Sequence, residues 1–174
     1  MNIITLDFET YYSREFSLTK STTEEYVRSD LFEVIGVSVK ENDNDAVWFS
    51  GTHDEVLEFL NGFDWGNSFA LAHNAVFDGA ILTWRFDIKP MAWLDTLAMA
   101  RATDGLDVGN SLAKLVERYG LGAKGTEVLN ALGKRRADFS AIELNAYGGY
   151  CKNDVELTYK LFMVLVQRFS KSEL

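Results

Sequence analysis

This sequence is poor in residues that lock a chain covalently or break its helices. Of 174 residues one is proline, Pro90, and one is cysteine, Cys151. A single thiol cannot close an internal disulfide, so a reducing cytoplasm is the compartment that fits. Long apolar runs are missing too. The densest, Leu161–Val166, has six residues, against the roughly eighteen of a membrane span, so no membrane contact is expected. The N-terminus lacks the basic, apolar and small-residue succession of a signal peptide. There is no internal repeat, low-complexity tract or linker, which leaves one domain over residues 1–174.

Positive charge is scarce and unevenly placed. The net charge of −9 alone speaks against a nucleic-acid binder, which is usually basic. Residues 1–107 carry 7 basic and 19 acidic side chains, whereas residues 108–136 carry 6 and 2. The six are Lys114, Arg118, Lys124, Lys134, Arg135 and Arg136. An acidic portion beside a basic stretch suits a metal site next to a phosphate track. A solvated helical face with one exposed basic turn would look the same.

What the chain does hold is apolar and aromatic weight: 47% hydrophobic and 13% aromatic residues, enough for one core. Ile3 to Asp7 reads as a buried strand. Ser21 and Glu24 are spaced as a capping box for a helix ending near Asp30. Glu33–Lys40 and Ala46–Phe49 form an antiparallel hairpin around a polar turn. Thr52 caps a helix over His53–Gly62. Phe69–Ala72 is a strand, Ala75–Phe86 a helix, and Met91–Trp93 a short strand. Asp95 or Thr96 opens a helix to Arg101. Asn110 caps another that ends at Tyr119 and Gly120. A short helix is expected over Lys124–Gly133 and a long one from Ser140 to Phe169. Three strands, then strands alternating with helices, indicate one α/β domain with a mixed sheet. The apolar Leu161–Val166 stretch calls for cover, from this domain or from a partner.

Chemistry gathers at carboxylates. Asp7 and Glu9 are two apart on one strand and share a face. Like charges so placed favour a cation or a proton, and hard divalent cations prefer oxygen ligands. Asp78 falls early in a helix, where it could equally favour the helix dipole. Tyr150 and Asp154 lie one helical turn apart. Gly148 and Gly149 precede them at a helix cost of about 1 kcal/mol each, which suggests close approach of a backbone or ligand, or a kink. His73 reads as a hydrogen-bonded turn residue and His53 as exposed. Taken singly, each acid has an ordinary explanation as a surface charge.

Together these segments resemble the three motifs of the DEDD 3′–5′ exonuclease superfamily. Asp7-Phe8-Glu9-Thr10 matches the first, Asn74-Ala75-Val76-Phe77-Asp78 the second, and Tyr150 with Asp154 the third. One branch carries His five positions before the last Asp, where this chain has Gly149; the tyrosine places it with the DEDDy branch. The opening through Tyr11 and Tyr12, the Ser21–Tyr26 stretch, and Asp95-Thr96 followed by Ser111–Leu115 are similar to the exonuclease domain of phage-type family A DNA polymerases. No polymerase motif is present.

The resemblance implies a ribonuclease H-like fold: a five-stranded mixed sheet, strands one to three antiparallel and the rest parallel, flanked by helices. It implies two divalent cations, Mg²⁺ or Mn²⁺, held by Asp7, Glu9, Asp78 and Asp154, with Asp7 bridging. Tyr150 would orient the attacking water. Thr10, Asn74 and Phe77 would meet the substrate, although Phe77 also suits the core, and Lys114 and Arg118 are candidate phosphate contacts. The expected substrate is a single-stranded or frayed DNA 3′ end, and a polymerase domain following Leu174 the expected partner. The alternatives are an RNA-processing exonuclease or a non-catalytic nucleic-acid-binding module.

Overall fold

The computed structural model describes residues 2–125 and 131–169. Its first strand, β1 (Asn2–Thr10), decides the architecture. Ile4, Leu6 and Phe8 enter the main core, whereas Ile3, on the opposite face, packs with Leu71 and Phe162. A strand buried on both faces belongs mid-sheet. β1 is indeed central, with β2 (Val34–Glu41) antiparallel on one side and β4 (Ser68–Ala72) parallel on the other. β3 (Val47–Phe49) extends the sheet beyond β2, and β5 (Ala92–Asp95) beyond β4. The order β3-β2-β1-β4-β5 is the expected five-stranded mixed sheet of the ribonuclease H-like fold. The β1–β4 ladder is short, running only from Asn2↔Ser68 to Thr5↔Leu71.

Helix starts follow their caps. Ser/Thr-x-x-Glu boxes open α1 (Thr23–Arg28), α2 (His53–Leu60) and α6 (Ala141–Leu165). In α1 the box is Thr22–Glu25, one residue beyond the expected Ser21–Glu24, because the run Ser21–Glu25 offers the pairing in either register. α3 (Ala75–Phe86) has the expected bounds. α4 (Thr96–Asp104) is capped by Asp95 and outruns the expected end at Arg101. α5 (Leu112–Arg118) starts on Ser111, not Asn110. Asn110 is buried instead, and its side-chain NH₂ donates to the Gly105 carbonyl at 2.8 Å. Gly120, at φ +64°, ends α5 in the left-handed conformation glycine favours. The helix expected over 124–133 falls largely on 126–130, outside the described residues; 124–125 and 131–133 are not helical.

Leu161, Phe162 and Leu165 of the apolar stretch of α6 are covered by this chain, while Met163 stays exposed. Leu161 and Leu165 pack with Ala100, Leu112, Leu115 and Val116, and Phe162 packs on Ile3 and Leu71. Such burial contributes about 1.5–3 kcal/mol per large side chain. The argument for a covering partner therefore falls away at this face. Among the described residues, no helix is long and apolar enough to cross a membrane.

Candidate active site

Three elements bring the acids together at the end of β1. Asp7 and Glu9 project toward α6, where the Cys151 thiol lies 3.5 Å from Asp7 Oδ2. Asp78, buried in the first turn of α3, accepts a hydrogen bond from the Phe8 amide at 3.0 Å. Asp154, on α6, pairs with the Lys124 ammonium, Oδ2 to Nζ at 2.8 Å. Lys124 also lies 5.3 Å from the centre of the Tyr150 ring.

Crowding and burial push these carboxyls up. Asp7 rises to about 7, through burial and then through Asp154. Glu9 rises to about 8, through burial and then Asp7, with the Tyr147 hydroxyl pulling back. Asp78 is raised by burial and by Asp7, against the Phe8 amide. Burial also raises Asp154, which Lys124 counters. Burial works against the charge on Lys124, yet Asp154 and Tyr150 hold its pKa above the usual lysine range. Burial likewise raises the Tyr150 phenol.

This donor set fits a divalent cation. Among the described residues, Asp154 Oδ1 is buried with no hydrogen-bond partner. Ligand atoms of Asp7, Glu9 and Cys151 lie within 4.8 Å of one another. Carboxylate oxygens dominate, as hard cations require.

Other expected contacts are placed differently. Asn74 adopts left-handed φ 72°, ψ 57°, which asparagine tolerates, and its amide donates to Asp95 Oδ1 at 3.0 Å. Its backbone braces the second motif while the residue stays exposed. Phe77 packs against the main core beside Tyr26. Phe8 is core and stacks on Phe86 at 5.9 Å. The Thr10 hydroxyl pairs with that of Tyr26 at 3.0 Å. Both ring nitrogens of His73 are engaged, by Thr96 and the Asn110 carbonyl. His53 is exposed and stacks on Phe86.

The basic stretch is mostly spent on ion pairs. Arg118 reaches Asp104 at 2.7 Å, Lys134 reaches Glu143 at 2.6 Å, and Arg135 reaches Glu33 at 2.8 Å. Arg118 also donates to the Val108 and Gly109 carbonyls, so its guanidinium is not free for phosphate. Lys114 is exposed, its stem beside Gly109. Three residues at the site carried no motif signal: Lys124, Tyr147 and Cys151. The last two lie in or beside the glycine pair and Tyr150, on the turn of α6 that faces β1.

Comparison with known proteins agrees with this geometry. The family model DNA_pol_A_exo1, described as 3′–5′ exonuclease, matches residues 16–169. No curated protein sequence matches the chain. Among solved structures, Brucella melitensis NrnC superposes with a TM-score of 0.64 at 16% identity, covering 98% of this chain and 75% of that one. The same protein bound to pGG gives 0.68 at 16% identity over 98% of this chain and 74% of that one. The GMP complex of Trypanosoma brucei RNase D gives 0.70 at 15% identity, over 94% of this chain and 50% of that one. These are DEDD-type exonucleases of the ribonuclease H-like superfamily, and the likeness at such identities concerns the fold. With the family model matching most of its length, this chain belongs to the 3′–5′ exonuclease family.

Proposed function

We propose that this protein is a divalent-metal-dependent exonuclease that removes nucleoside 5′-monophosphates from single-stranded or frayed DNA 3′ ends, in the service of a phage-type DNA polymerase. The observation that carries the reading is the grouping of Asp7 and Glu9 with Asp78 and Asp154 close enough to raise one another's pKa, with the Asp154 Oδ1 oxygen left without a hydrogen-bond partner among the described residues. The name of the matching family supports the DNA assignment. Asp7, Glu9 and Asp154 would hold one Mg²⁺ or Mn²⁺, and Asp7 with Asp78 a second. Bound there, such cations make hydroxide available near neutral pH and stabilise charge on the departing 3′ oxygen.

The chain's own residues position the reactants. Tyr150 keeps its proton, because burial lifts its pKa further from neutrality. It therefore orients the attacking water by hydrogen bonding and does not act as its base. The water oxygen bonds to phosphorus, the P–O3′ bond breaks, the water gives up a proton to solvent, and the departing O3′ takes up a proton from solvent. A mismatched terminus reaches such a site more cheaply than a paired one, since less unpairing is needed.

A second reading, a nuclease for short RNA, has its own support. The structural neighbours include NrnC bound to pGG and an RNase D with GMP. Hydrolysis of matched single-stranded DNA and RNA decides between the two, and faster RNA cleavage overturns the DNA assignment. Cleavage that persists in an Asp7→Ala, Glu9→Ala double variant overturns the site itself. Chelation should stop activity and Mg²⁺ or Mn²⁺ restore it.

A further inference from the structure

Lys124 is addressed to the acidic cluster by its backbone. Segment 122–125 is laid along α6. A Cβ on Gly122 would lie 3.3 Å from Leu157 Cδ2, the Ala123 carbonyl accepts from Asn153 Nδ2 at 3.3 Å, and a Cβ on Gly125 would lie 3.5 Å from the Tyr150 ring. Leu157, Asn153 and Tyr150 share one face of the helix. Gly122, with its φ of +132° and little room for a Cβ beside Leu157, lets the chain turn in this close. A lysine side chain loses rotamer entropy on being fixed, and here Asp154 and the Tyr150 ring both hold it. The positive field of Lys124 also reaches Asp7 and Glu9. Arg118, Lys134 and Arg135 are paired elsewhere, whereas Lys124 is placed in the cluster.

We propose that Lys124 is a displaceable counter-ion: its ammonium occupies the Asp154 carboxylate until a divalent cation takes its place, and then pairs, beside Tyr150, with the phosphate of the terminal nucleotide. The first half needs only the cluster. The second rests on the exonuclease reading above. A divalent ion carries twice the charge of the ammonium and can meet several carboxylates at once, so it wins the exchange. The displaced ammonium stays tethered within reach of the incoming phosphate, where it supplies charge that the substrate lacks.

The test is Mn²⁺ calorimetry on the full chain at pH 8.5, without nucleic acid, comparing wild type with Lys124→Met and Lys124→Arg. Lys124→Met should bind Mn²⁺ about tenfold more tightly, a usual size for a coupling between two ligands, while Lys124→Arg stays near wild type. Equal or weaker binding by Lys124→Met overturns the displacement; if that variant is unfolded by circular dichroism, Lys124→Gln takes its place. At saturating Mn²⁺ on an oligonucleotide, KM should rise for Lys124→Met and be largely rescued in Lys124→Arg. An unchanged KM overturns the phosphate contact. A wild type that cuts no nucleic acid, with Mn²⁺ binding still tightened by Lys124→Met, sinks the exonuclease reading and supports the displacement.

Discussion

Trp48 occupies the space that a side chain at position 148 would need. A Cβ on Gly148 would overlap Trp48 Cδ1, and one on Gly36 would overlap the far edge of the same indole. The ring is clasped between β2 and α6, beside Tyr147 at 6.1 Å. This contact sets how α6 lies on the sheet six residues before Asp154. Gly148→Ala must move the indole or the helix, and such overpacking costs about 1–3 kcal/mol. Gly149 faces open space, so Gly149→Ala should gain about 1 kcal/mol of helix propensity. Urea unfolding of the two variants should give shifts of opposite sign from adjacent positions.

Asp7 and Glu9 titrate far from their ordinary 3.8 and 4.5, at about 7 and about 8. Between the unfolded and folded values the native state binds more protons, so its stability falls as pH rises. Metal-free protein should lose stability from about pH 4 to about pH 8, by a few kcal/mol, and then level off. Asp78 and Asp154 shift in the same sense. His73, held below 6.5 by burial, pulls the other way only at the acidic end. Calorimetry in EDTA and in Mg²⁺ checks this: the cation should stabilise strongly at pH 8 and little at pH 5.

On the proposed mechanism, Tyr150→Phe removes one hydrogen bond to the attacking water and no metal ligand. Its kcat should fall roughly 10²-fold, the scale of losing one positioned donor, with Mn²⁺ affinity within a factor of two or so of wild type. Asp7→Asn should abolish activity and, in EDTA at pH 8, raise the melting temperature by relieving the crowding. Steady-state kinetics with a thermal melt separates the two kinds of residue.

Asp104, with Arg118 as one of its partners, braces three helices. Burial opposes the charge on Asp104, but Tyr119, Arg118 and Arg168 hold it ionised, and they tie α4 to α5 and to the end of α6. Arg118→Ala should destabilise by about 1–3 kcal/mol, since it leaves a mostly buried acid with fewer partners. Nucleic-acid affinity plotted against salt should keep its slope, because no phosphate contact is lost. A slope reduced by about one would return Arg118 to the substrate.

Much of the site was legible because its signals are local. The alternation at Asp7 and Glu9, the four-residue step from Tyr150 to Asp154, and the bounds of α3 depend on neighbours in sequence. The missing parts depend on distant partners. Lys124 was one of six cations until the fold laid its segment on α6. Arg118 looked like a free cation because Asp104, fourteen residues away, cannot be paired with it from periodicity. Asn110 and Ser111 both suit a cap, and burial against His73 decided between them. Gly148 was readable as a close approach, but Trp48, a hundred residues earlier, was not readable as its cause.

The β1–β4 ladder stops at Thr5↔Leu71, three residues short of Phe8. Beyond that rung, on the β4 side of β1, the Phe8 amide donates to the Asp78 carboxylate. A seam therefore opens in the sheet, and a side chain continues there what backbone carbonyls do below it. Opening of that seam is written into one proton. The exchange rate of the Phe8 amide with solvent deuterium reports whether Asp78 is still stitched to β1, with no need of substrate, product or turnover.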